Sequence, residues 1–147
     1  MEPSSKSSGA IRTFTVEEAN DLLPHITKML DKAIYLNVRI KSLTSDIENL
    51  VSIWGKDILD KTHMDNELYM ERVSEREETF KELVRKINEI QSIGCIVKDT
   101  ETGLVDFYHE KNGEIVLLCW KYGEDNINFW HELDNGFKNR KPLDEME

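Results

Sequence analysis

His131 sits in the segment NFWHELDNGF, residues 128–137, with Trp130 before it and Glu132 and Asp134 after it. Glu124 and Asp125 lie just upstream, and Asp106 interrupts the apolar stretch LVDFY. Carboxylate oxygens suit hard divalent ions, and histidine with carboxylates suits zinc or iron. Asp106, Glu124, His131 and Glu132 are therefore the candidate ligands of a divalent metal, with Asp106 joining from across a sheet. The spacing does not select a metal, because the chain has no HExxH and no second histidine or cysteine in a metal pattern. The competing reading is structural: His131 bonded to a carboxylate and packed by Trp130, with Asp106 on a solvated face or accepting loop hydrogen bonds. Cys119 and His131 form a second pair with chemistry in it. A cysteine in the apolar run IVLLCW has a raised pKa, however, and is ordinarily inert. No glycine-rich phosphate loop stands in a strand–loop–helix context.

The same tail has the makings of a latch. Trp120, Trp130 and Phe137 are large apolar groups in a short stretch, and Gly123 and Gly136 permit tight turns. Arg140 can form a bidentate pair with Asp106 or Glu124.

Residues 14–94 must form the support. TFTVEEAN carries a helix start: Thr15 as cap, Glu18 returning the bond, and Phe14 as staple. Pro24 predicts a kink or a restart, because proline lacks the N–H and clashes with the preceding turn, so a short helix to about Leu23 and a long one after it are expected. Leu22, Ile26, Met29, Ala33, Leu36, Ile40, Leu43, Ile47 and Leu50 then alternate by four and three, a heptad seam ending near Trp54 and Gly55. A second seam runs through Tyr69, Val73, Arg76, Phe80, Leu83, Ile87 and Ile90, after Asp65 or Asn66 as cap. Gly94 suits a left-handed stop. The simplest arrangement is a long antiparallel, coiled-coil-like helical hairpin.

After Gly94 the period falls toward two. CIVKD, LVDFY and IVLLCW read as three strands of a small antiparallel sheet, with Asn112-Gly113 as a tight hairpin turn. The expected fold class is α+β: the helical hairpin, then a three-stranded sheet, then a motif-rich tail. The expected organisation is a flexible arm over 1–13 and a single domain over 14–147. Within the domain, 14–94 is the hairpin, 95–122 the sheet and 123–147 the latch.

FTVEEANDLLP, GLVDF, LCW, GE, WHELDNGF and the Arg140–Lys141–Pro142–Leu143 run occur in this order. In this the chain resembles a bacterial family catalogued as domain of unknown function 2203, over Phe14 to Leu143. The resemblance takes in Gly103, Asp106, Cys119, Trp120, Glu124, Trp130, His131, Phe137 and Arg140; Tyr108 departs from it, where proline is expected. It implies a helical, coiled-coil-like front and a motif-rich tail, and no established reaction.

The totals narrow the function classes. The 147-residue chain carries a net charge of −10. Residues 1–94 hold 13 basic and 17 acidic residues, net −4, and residues 95–147 hold 6 and 12, net −6. Such a surface repels phosphate backbones, so no nucleic acid is expected as partner, and anionic membranes are disfavoured. MEPSSKSSGA has no apolar core of a secretory signal, and Cys95 and Cys119 are too few for a disulfide framework. A cytoplasmic location is expected. The leading functional expectation is a non-catalytic interaction module that self-associates through its helical seams. The alternative is a metal-dependent enzyme, hydrolytic in type, with its carboxylate and histidine site in the C-terminal third.

Overall fold

A computed structural model describes residues 11–145. Most of the expected N-terminal arm, residues 1–10, lies outside the described residues. Arg12 is tied down: its guanidinium donates to the Ile93 carbonyl at 2.7 Å and lies 4.3 Å from the Phe14 ring centroid.

Helix α1 runs Val16–Trp54, 39 residues, and opens on the capping box that Thr15 and Glu18 predict. The two reciprocal bonds, Glu18 N–H to Thr15 Oγ1 at 3.0 Å and Thr15 N–H to Glu18 Oε1 at 2.9 Å, satisfy donors the helix leaves free. The expected restart at Pro24 does not occur; α1 continues through it as one helix. An interior proline costs about 3 kcal/mol. The buried residues on both sides, Ala19 and Leu23 before and Ile26 and Leu30 after, anchor the two flanks to one core and offset that cost.

A short 3₁₀ segment, Gly55–Leu59, leads toward helix α2, Asn66–Gln91. Asp65 stands at the cap position but makes no capping bond; its Oδ2 accepts from Trp54 Nε1 at 2.9 Å instead. α1 and α2 pack as the antiparallel hairpin, cross-linked by Arg39–Glu75, Lys32–Glu82 and Arg72–Asp46 ion pairs. The expected α2 seam faces inward at every position but one: Leu83 and Ile90 are buried and Tyr69, Val73, Arg76 and Ile87 half-buried, while Phe80 is 57 % exposed and its neighbour Thr79 is buried instead.

The sheet corrects the expected fold class. It has five antiparallel strands, not three, in the order β1-β2-β3-β4-β5. These are β1 Ile96–Asp99, β2 Leu104–Lys111, β3 Glu114–Lys121, β4 Phe129–His131 and β5 Lys141–Pro142. The two added strands are cut from the segment expected to be only a latch. A central strand such as β3 has two edges to pair, and β4 takes the one β2 leaves free. The β2–β3 turn has Asn112 at φ 53° and Gly113 at φ 85°, the left-handed pair a two-residue hairpin needs.

Alternation splits each strand between two faces. Val105, Phe107, Val116, Leu118, Trp120 and Trp130 share one core with Ala19, Leu23, Ile26, Leu30, Ala33 and Leu36 of α1. This inner face rests on the helices. Farther along the hairpin, Leu43, Ile47 and Ile58 are buried but belong to no part of that core. Past Leu36 the two helices therefore bury chiefly each other.

Candidate metal centre

The outer face of the sheet carries the chemistry. Asp106 on β2 is the direct cross-strand partner of Cys119 on β3, and Cys119 pairs in turn with Phe129 on β4. His131 lies two residues beyond Phe129, on the same face by alternation. Asp106, Cys119 and His131 are 2 %, 1 % and 2 % exposed. One ligand atom from each, a carboxylate oxygen, the thiol sulfur and a ring nitrogen, lies within 4.8 Å of the other two.

The imidazole orientation follows from its partners. His131 Nδ1 is 2.8 Å from the Glu132 carbonyl oxygen. A carbonyl only accepts, so Nδ1 carries the hydrogen and donates it. In the neutral ring Nε2 is then a bare lone pair, and it lies 3.3 Å from Asp106 Oδ2. A lone pair facing a carboxylate oxygen is repulsive unless a proton or a metal ion sits between them, while the protonated Cys119 thiol can donate to the Asp106 carboxyl. A backbone carbonyl fixing Nδ1–H is also the usual way a metal-binding histidine is aimed. Two ligands bonded at about 2.0–2.1 Å to a tetrahedral zinc stand about 3.3 Å apart. The observed Nε2–Oδ2 separation matches that edge.

Burial shapes the protonation of the other two members. It raises the Asp106 carboxyl above its ordinary range, against the lowering pull of His131 and Lys98. It also pushes the Cys119 thiol up to about 11, with the Asp106 charge adding to the rise. Both groups hold their protons more tightly than in water. A divalent ion would displace those protons and neutralise the anions left behind.

The expected ligands are thus divided. Asp106 and His131 meet; Glu124 and Glu132 do not join them. Glu124 receives Arg140 in a bidentate pair, at 3.3 Å from Nη1 and 2.8 Å from Nη2, and its Oε1 also accepts the Lys121 N–H at 2.9 Å. Glu132 accepts from Lys141 Nζ and Asn135 Nδ2, each at 2.7 Å. Those bonds, the lysine first, hold its carboxyl at about 2. The four latch residues divide by face. Trp120 and Trp130 pack into the inner core, Trp130 with its Nε1 buried and unpartnered. Phe137 and Arg140 cover the outer face: the guanidinium lies 3.9 Å from the Phe129 ring centroid and 4.3 Å from that of Phe137, with Nη1 4.0 Å from Cys119 Sγ.

Cys119 is the member that residue chemistry alone set aside as inert. The signal that finds it is register. The Asn112-Gly113 turn pairs Lys111 with Glu114, and stepping back along both strands brings Asp106 opposite Cys119.

The family model described as "Uncharacterized conserved protein (DUF2203)" matches residues 12–143. The chain belongs to this family. No curated protein and no solved structure matches the chain. Within the matched range, Asp106, Cys119, Glu124, His131, Phe137 and Arg140 gather on the outer face of the sheet, from β2, β3, β4 and the loops between them.

Proposed function

We propose that this DUF2203 protein binds a divalent ion of the zinc class through Asp106, Cys119 and His131, and that the site serves hydrolytic chemistry. The observation that carries the reading is the convergence of three buried ligand atoms, with His131 Nδ1 engaged by a backbone carbonyl and Nε2 3.3 Å from a buried carboxylate oxygen. Nitrogen, sulfur and oxygen together favour zinc over magnesium or calcium, which take oxygen ligands. Three protein ligands leave a fourth position, and in zinc hydrolases that position holds the activated water. The rival is a proton shared between His131 and Asp106, which makes the trio a buried polar strut.

Elemental analysis of tag-free protein separates the two. The metal reading expects close to one zinc per chain, lost in His131→Ala. Metal-free protein whose melting temperature is unmoved by added zinc, manganese or cobalt would leave the proton in place.

A second reading rests on a different observation. Ile53 and Phe80 are exposed apolar residues of the helical hairpin. A second copy is the occupant that fits. Arg76 and Glu77 line one groove with Phe80, and a two-fold axis would set each arginine against its partner's glutamate. Light scattering that finds only monomer at high concentration would sink it. The net charge of −10 supports a protein that works away from nucleic acid. No helix among the described residues is long and apolar enough to cross a membrane. The two unpaired buried cysteines support a reducing compartment such as the cytoplasm.

A further inference from the structure

Asp106, Cys119 and His131 are each at most 2 % exposed, so the trio is closed to solvent. A hydrolytic centre needs a route for water and substrate to its open ligand position. The connection between β4 and β5 is built to provide one. Its residues 133–139 are all exposed, and none belongs to the hydrophobic core or packs against it. Their backbone bonds stay inside the connection: Asn135 N–H donates to the Glu132 carbonyl at 3.1 Å and Asn139 N–H to that of Gly136 at 3.0 Å. Among the described residues no backbone bond ties 133–139 to the sheet. The two flanks are fixed, because β4 pairs with β3, β5 pairs with β4, and Glu132 is bonded to Lys141.

Side chains hold the connection down. Arg140 makes two hydrogen bonds to Glu124 and lays its guanidinium against the Phe129 and Phe137 rings. Its Nη1 is 4.0 Å from Cys119 Sγ, and Phe129 is the cross-strand partner of Cys119. Arg140 and Phe137 thus cover the sulfur. Glu124 is a fixed post: its Oε1 accepts the Lys121 N–H and its carbonyl accepts Trp120 Nε1, each at 2.9 Å. Partly exposed ion pairs contribute little to stability. A segment with no core contact and one such catch opens far more readily than the sheet beneath it.

We propose that residues 133–139 are a lid over the trio, hinged at the ends of β4 and β5 and held shut by the Glu124–Arg140 pair. The lid rests on the metal reading for its purpose alone. Lifting it admits the ion and then the substrate, and closing it excludes bulk water. Glu124 is the positioning residue that keeps the lid down.

The two buried cysteines make the test internal. Cys95 lies in the inner core and is 3 % exposed; Cys119 lies under the lid and is 1 % exposed. Chelator-treated full-length protein is reacted with iodoacetamide, and each cysteine is followed separately by mass spectrometry of its peptide. Cys119 is expected to react at least about tenfold faster than Cys95, whose exposure requires the core to come apart. Glu124→Gln keeps an oxygen for the Lys121 N–H and loses the charge, and should speed Cys119 about threefold. Phe137→Ala should speed it as much or more. Neither substitution should alter the Cys95 rate. If Glu124→Gln raises both rates together its fold is weakened, and Phe137→Ala, outside the core, decides. Equal rates at the two cysteines in wild type, or a Cys119 rate that neither substitution moves, overturns the lid even if zinc binds as described. Added zinc that fails to protect Cys119, while both substitutions act, removes the metal reading and leaves the lid standing.

Discussion

The two faces of the sheet are built from alternate residues of the same strands, and both are buried, yet they do opposite things. On the inner face Val105, Phe107, Leu118 and Trp120 meet helix α1 and need nothing from outside the chain. On the outer face Asp106, Cys119 and His131 are equally hidden, and each brings a polar atom that burial penalises. A buried polar group costs free energy unless it is satisfied. The inner face therefore explains why the chain folds. The outer face costs stability that the inner face supplies, which is the pattern of a site and not of a second core.

The comparison is broken most forcefully from the inner side. Phe107→Ala removes a fully buried ring at the centre of the core, and should cost about 3–5 kcal/mol in urea unfolding. Its folded fraction should still bind zinc with unchanged stoichiometry. Loss of zinc there with little loss of stability would mean that the faces are not independent.

The outer side responds to metal. At a free zinc concentration about 100 times the Kd, wild-type protein should gain about 2.7 kcal/mol, and His131→Ala should gain nothing. Because Cys119 holds its proton up to about 11, zinc must displace it. Apparent affinity should then rise about tenfold per pH unit from pH 6 to 8 for each proton released. A flat profile would mean that the thiol is not a ligand.

The smallest effect sharpens the contrast. Asp106 has a folded pKa raised above its ordinary value, chiefly by burial. The metal-free fold binds that proton more tightly than the unfolded chain does. This contribution to stability is complete below the ordinary carboxylate range, about pH 4, and is lost as pH rises through the raised folded value. Metal-free Asp106→Asn should therefore match wild type near pH 4 and melt higher than wild type at pH 8. The same substitution should weaken zinc binding strongly. A variant less stable than wild type at pH 8 would show Asp106 held by a protonated His131 instead.

How much of this was legible in the sequence depended on length and period. The helical hairpin was, because a heptad pattern sustained from Leu22 to Leu50 leaves little choice. The continuity through Pro24 was not, because the core that holds its flanks is assembled from distant strands. Strands β2 and β3 were visible through alternation and the Asn-Gly turn. Strands β4 and β5 have three and two residues, too short for any period to show. They exist because β3 has a free edge. Asp106 and His131 stood out by type. Glu124 and Glu132 had the same chemistry; of the two expected partners of Arg140 the fold selects Glu124, and only the folded tail reveals that Lys141 occupies Glu132. Cys119 was hidden by its apolar neighbours. Cross-strand register, not local composition, puts its sulfur beside the carboxylate.

The central claim is that nitrogen, sulfur and oxygen from these three residues share one ion. Cobalt(II) titrated into metal-free protein tests it most directly, because cobalt takes zinc sites and its absorption spectrum reports the ligands. The intense visible bands of a tetrahedral ion are expected at one equivalent, with a thiolate charge-transfer band in the near ultraviolet. Cys119→Ser should abolish the charge-transfer band and His131→Ala the whole spectrum. A spectrum identical to cobalt in buffer would contradict the account and leave the trio as a protonated strut beneath Phe137 and Arg140.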